Sequence, residues 1–247
     1  MNSIVFSALF FPVVLSGLSI FIFKPKSNYL KLLTTFSGAY LLGISFLDII
    51  PEIYTADKTM TIGLFVILGF FIQLLLDFIT KGIEHGHDHA LTHDSHTKHL
   101  SITPIMIGIC IHSFLEGMPL AENFVNPQLR NTMLTGIIIH NIPISIVLMG
   151  LLFLKCPQNK TKALLLLFVF ALSAPLGTIA SYYVGAELIS QYAHFFDYVL
   201  AMVVGIFLHI STTILFETDE NHRFNFQKFF VIVLGFGATI LLTILLH

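Results

Sequence analysis

Charge is what this chain has least of. Charged residues make up 11% of its 247 residues, against about 25% in ordinary soluble domains. So few ions cannot solvate the surface of a water-soluble fold, and 55% of the residues are hydrophobic. Mean hydropathy is +0.87. These values point to an integral membrane protein. Tryptophan is absent, so any interfacial aromatic belt falls to the seven tyrosines,. A net charge of -2 with no basic stripe argues against a nucleic-acid partner,. With two cysteines, Cys110 in an apolar run and Cys156 in a lysine-bearing connector, no disulfide framework is expected,. No basic segment precedes the first apolar run, Ser3 to Phe23. It is long enough to span, so a retained helix is expected rather than a cleaved signal.

What the chain does have is long apolar runs. A spanning helix needs about 20 mostly apolar residues. Eight runs qualify, at 3–23, 32–52, 60–80, 102–122, 132–154, 163–184, 193–216 and 227–246. The connectors are too short for a soluble domain, so residues 1–247 form a single transmembrane domain. Eight spans put both termini on one side. Lys24, Lys26, Lys31, Lys81, Lys98, Lys155, Lys160, Lys162, Arg223 and Lys228 fall on one face, and only Lys58 and Arg130 on the other. By the positive-inside rule both termini are outside, and the connector at 81–100 is cytoplasmic.

Polar residues inside these runs are costly and therefore informative. In "IHSFLEG", His112 and Glu116 lie four residues apart on one helix face,. In "IIIHNIPIS", His140 falls at a similar depth on the next span. Imidazole and carboxylate together suit zinc and similar divalent metals. A cation between them would offset the cost of a carboxylate in a low-dielectric core. Ser113 and Asn141 follow the two histidines and can add oxygen ligands or supporting hydrogen bonds,. A lone intramembrane histidine often just bonds a neighbouring helix, but three groups at matched depth favour a metal. Pro143 withholds a helical hydrogen bond from Ile139, and Pro119 withholds one from Leu115,. Broken turns beside the ligands are therefore expected, as at a midplane transport site.

Other polar groups carry weaker signals. Asp48, Glu52 and Asp197 lie towards outer helix ends and are candidates for an acidic entrance,. Helix-end residues in water would look the same. Asp77 and His209 lie in inner halves, where an exit route and a structural hydrogen bond are equally compatible. The connector "EHGHDHALTHDSHTKH" holds His85, His87, His89, His93, His96 and His99. Its composition suits weak, exchangeable metal binding.

At these residues the chain resembles the ZIP family of divalent-metal transporters. The resemblance spans the whole chain: eight spans, a His-rich connector after the third, "FLDIIPE" closing the second, "HSFLEG" in the fourth, "HNIPIS" in the fifth and "LSAPLG" in the sixth. The family's usual forms are His-Asn-x-Pro-Glu-Gly in span four and (His/Gln)-(Glu/Asp)-x-Pro-(His/Glu)-(Glu/Gly) in span five. The likeness implies an all-helical bundle with an inverted 3+2+3 repeat. It further implies uptake of zinc, or of iron, manganese, cobalt or cadmium, towards the cytosol. The metal is a transported substrate in an inner or plasma membrane, with no resident cofactor. Homodimers are common in the family. His112, Glu116 and His140 match retained ligands. Ser113, Asn141, Ile144 and Ala174 replace an Asn, two acids and a span-six Glu that relatives with a two-metal centre use. Leu115 takes the usual span-four proline position, with Pro119 four residues later. These departures imply one metal held by two imidazoles and one carboxylate.

Two other classes use similar ligands. A membrane-embedded zinc hydrolase needs a general base beside the metal-bound water, and a metal sensor binds without carrying. A transporter, not an enzyme, is the expected reading. Flexible ligands do not preorganise a site, so deleting 85–99 should shift apparent affinity or regulation while uptake persists. Loss of all uptake in that deletion would give the tract a larger role.

Overall fold

The structure is a computed structural model that describes residues 3–23, 27–54, 59–80, 101–121, 127–188, 195–216 and 226–246. Among these residues all regular structure is helical, and eight helices are long and apolar enough to cross a membrane. They are α1 (Ser3–Phe21), α2 (Ser27–Ile53), α3 (Thr59–Thr80), α4 (Ile102–Leu120), α5 (Pro127–Lys155), α6 (Lys160–Leu188), α7 (Phe195–Phe216) and α8 (Phe226–Leu246). In hydrocarbon every backbone polar group must be satisfied within the helix, which is why the apolar runs leave no alternative.

Several helices extend beyond their apolar windows because their ends are chemically capped. Pro127 opens α5, where its missing N–H costs nothing,. The Asn159 side chain accepts the Lys162 N–H at 2.9 Å and caps α6,. The His-rich segment, with His85, His87, His89, His93, His96 and His99, lies outside the described residues.

The prolines act differently from the sequence expectation of two broken turns. Helix α5 runs unbroken through Pro143. At Pro119, α4 tightens into a 3-10 turn over Met118–Leu120. The Met118 N–H then serves the Leu115 carbonyl, which is therefore not left exposed,. The pronounced distortion is in α2. Pro51 has no N–H to give to Leu47, and the helix widens to a π turn over Ser45–Ile49 before resuming at Ile50–Ile53,.

The helices sort into two packed sets. In one, α4 lies along α6 while α1 packs on both α5 and α6. Its private core joins Val13 and Val14 of α1, Ile109 of α4, Leu148 and Leu152 of α5 and Leu167 and Phe170 of α6. In the other set, α3 lies along α7, and α2 packs on α7 and α8. Contacts between the sets are sparser and run chiefly through α2 on α5 and α3 on α4.

Small residues explain this partition. Apolar side chains gain little by leaving lipid for protein, so close backbone approach carries membrane packing. A Cβ on Gly117 would overlap the Ala174 carbonyl, and one on Gly177 would overlap the Phe114 carbonyl, so α4 and α6 touch backbone to backbone. Gly69 and Gly205 do the same for α3 and α7 through Met202 and Val66. Across the sets, Gly136 of α5 instead meets the Tyr40, Leu41 and Ile44 side chains of α2. Gly177→Leu should therefore lower thermal stability in detergent by an amount typical of overpacking, about 1–3 kcal/mol or more. Gly237 has nothing within 4 Å of a would-be Cβ, so Gly237→Ala should melt as the parent does.

Candidate metal centre

The centre is built from two helices and held by two more. His112 and Glu116 project from one face of α4, one turn apart, and His140 projects from α5,. All three are fully buried. His112 Nε2 lies 3.3 Å from Glu116 Oε1. The His112 and His140 rings meet edge to face with centroids 5.8 Å apart. One ligand atom from each residue can be chosen so that all three lie within 4.8 Å of one another. Among the described residues this is the one group of three or more His, Cys, Asp or Glu side chains close enough to share an ion. A divalent cation bonds imidazole nitrogen and carboxylate oxygen at about 2.0–2.2 Å, so modest closure around an ion would complete the three bonds.

The imidazole tautomers follow from their outer partners. Gln73 of α3, fully buried, presents Oε1 to His112 Nδ1 at 3.0 Å. A carbonyl oxygen only accepts, so Nδ1 carries the proton and Nε2 faces Glu116 with its lone pair. On α2, Ser37 gives its hydroxyl proton to the Thr34 carbonyl at 2.8 Å. Its oxygen lies 3.3 Å from His140 Nδ1, and with the hydroxyl proton on the Thr34 carbonyl it accepts from Nδ1–H,. His140 is thereby set in the same tautomer as His112, with Nε2 as the ligand nitrogen. Such outer hydrogen bonds orient the ring and raise its basicity.

The surroundings add little further charge. Two neutral imidazoles and one carboxylate total -1, so a bound dication leaves about +1, before any anionic water ligand. Ser113, Asn141, Ile144 and Ala174 are all buried. Asn141 Oδ1 is buried without a hydrogen-bond partner among the described residues, as fits an oxygen held for a ligand. Ala174 packs its backbone on Gly117, next to Glu116, and offers no carboxylate there.

The remaining candidates lie apart from this group. Asp48 is buried in the π turn of α2, where its Oδ2 accepts the Thr243 hydroxyl of α8 at 3.2 Å. Glu52 is exposed near the end of α2, and Asp197 is half-buried in the first turn of α7. Asp77 and His209, ambiguous in the sequence, come together across α3 and α7 with Oδ2 and Nε2 3.8 Å apart. Phe70 meets the His209 ring edge to face. Sequence reasoning missed Gln73 and Ser37. The signal for Gln73 was present, an amide isolated in the apolar run "ILGFFIQLLLDF"; a single serine such as Ser37 gives none.

Comparison with known proteins adds one positive finding. The family model described as ZIP Zinc transporter matches residues 84–243, which contain the whole centre. A search of curated proteins finds no match.

Glu116 is also a test of the geometry. A buried carboxylate in a membrane helix costs about 2.5–3.5 kcal/mol by the insertion scale. Glu116→Gln should therefore melt at or above the parent temperature without metal. It should also lose the stabilisation that added Zn2+ or Co2+ gives the parent. A variant that melts lower without metal and still responds to the ions would remove Glu116 from the centre.

Proposed function

The chain belongs to the ZIP zinc transporter family, a family of divalent-metal transporters, and we propose that His112, Glu116 and His140 form its cargo site. It is a multi-pass membrane protein, with eight helices long and apolar enough to span. The observation that carries the proposal is the convergence of three fully buried ligands from two neighbouring helices. Both imidazoles are set in the tautomer that offers Nε2.

The cargo is a single divalent cation. Zinc fits best because two imidazoles, one carboxylate and a fourth position for water or Asn141 match its tetrahedral preference. Iron, manganese, cobalt and cadmium are competitors for the same donors. Movement is towards the cytosol, with both termini outside and the His-rich segment at 81–100 on the cytoplasmic side. The supporting asymmetry is the 10-to-2 division of Lys and Arg between the two faces,. Asp48, Glu52 and Asp197 would raise the local cation concentration at the outer mouth.

The reduced donor set has a functional consequence. A site left at about +1 when occupied is less well neutralised than one with several carboxylates, and a net charge is costly to bury. Binding is weaker, and release correspondingly easier, than at a centre holding two metals. Asn141, Ile144 and Ala174 stand in place of the acids such a centre would need, and Ser113 in place of its Asn.

Reconstituted protein should take up labelled zinc, and a panel of unlabelled competitors should rank the cargo ions. His140→Ala and His112→Ala should each abolish uptake with expression near the parent level. Uptake unchanged in His140→Ala would exclude it from the cargo site, and failure of every ion of the panel to enter would end the transport reading. Titration of the purified protein should show one tight ion per chain within the membrane region, lost in His112→Ala. Two tight ions there would refute the mononuclear site.

A further inference from the structure

We propose that Gln73 and Ser37 are positioning residues that hold His112 and His140 in the metal-ready tautomer from the opposite helix set. This rests on the assignment of the cargo site above.

The ligands belong to the set α1, α4, α5 and α6, and their outer partners belong to the set α2, α3, α7 and α8. Each of the two main interfaces between the sets supplies one hydrogen bond to one ligand. Helix α3 against α4 brings Gln73 Oε1 to His112 Nδ1 at 3.0 Å. Helix α2 against α5 brings Ser37 Oγ to His140 Nδ1 at 3.3 Å. Gln73, Ser37, His112 and His140 all have zero exposure, so water cannot substitute for either acceptor while the sets stay packed.

The chemistry makes the pairing directional. Without an acceptor at Nδ1, a neutral imidazole can place its proton on either nitrogen. The form protonated at Nε2 then points a proton instead of a lone pair at the cation. Gln73 and Ser37 remove that form by accepting from Nδ1, and each N–H···O bond also makes Nε2 a better donor to the metal.

The test uses the full chain with Gln73→Met, Gln73→Glu, Ser37→Ala and the double variant Gln73→Met with Ser37→Ala, beside parent and His112→Ala. Methionine keeps the length of glutamine without its acceptor, and glutamate keeps the acceptor. Co2+ affinity is read from its absorption in detergent-purified protein, and KM and maximal rate from zinc uptake into proteoliposomes. Gln73→Met should weaken Co2+ binding by about 10-fold to 100-fold, the usual effect of losing such a partner. Gln73→Glu should restore it. KM should rise in step while the maximal rate per folded protein stays within about two-fold, and the double variant should be weaker than either single variant.

A merely structural role would lower the maximal rate with KM unchanged, and that result would overturn the proposal. Gln73→Met binding Co2+ as the parent does, or Gln73→Glu binding as weakly as Gln73→Met, would also overturn it. These failures differ from failure of the cargo site itself. In that case the parent and His112→Ala would bind Co2+ equally, and both readings fall together.

Discussion

The interaction on which the rest depends is the one between Glu116 and the two imidazoles. A carboxylate with zero exposure inside a helical membrane bundle is costly,. His112 one turn away on the same helix and His140 on the next helix bring two further donors to it, so that a cation between the three would meet its charge,. That requirement decides which faces of α4 and α5 look inward. It also explains why two neighbouring helices that pack only lightly on each other still converge at one depth. Their ligands are drawn together while α6, α1 and the supporting helices α2 and α3 supply the packing.

The bundle around this point is built by two kinds of contact. Within each helix set, glycines let backbones meet directly, at Gly117 and Gly177 in one and Gly69 and Gly205 in the other. Between the sets the glycines chiefly meet side chains, Gly136 facing Tyr40 and Ile44 and Gly108 facing Thr80. Backbone contact is intolerant of sliding because a carbonyl has no rotamer to change. Side-chain contact has more freedom to rearrange. The polar groups crossing between the sets near the centre, Gln73 on His112 and Ser37 on His140, tie cargo chemistry to that interface.

In the proposed cargo site, Asn141, Ile144 and Ala174 stand where the family's two-metal pattern has acids, and no other Asp or Glu among the described residues joins His112, Glu116 and His140. Each missing carboxylate spares the empty bundle the cost of a buried charge and takes the same electrostatic attraction away from the bound ion. The proposed exchange of affinity for ease of release follows from that symmetry. Asp48, bonded to Thr243 away from the group, does not offset it.

The sequence by itself determined the eight helices, because lipid demands unbroken apolar runs of a fixed length and helices that satisfy their own backbones. It also determined His112 and Glu116 as partners, since four residues on a helix bring two side chains together wherever the helix is placed. It identified His140 by depth. It misjudged the prolines, because whether a missing hydrogen bond breaks a helix depends on packing: α5 stays continuous through Pro143, and a 3-10 turn absorbs Pro119. Only the tertiary structure decided that Gln73 reaches His112 across 39 residues of chain and Ser37 reaches His140 across 103, and that Asp77 finds His209. Helical periodicity fixes which residues share a face of their own helix. It says nothing about which face of another helix they meet, and the protonated nitrogen of each histidine depends on that meeting.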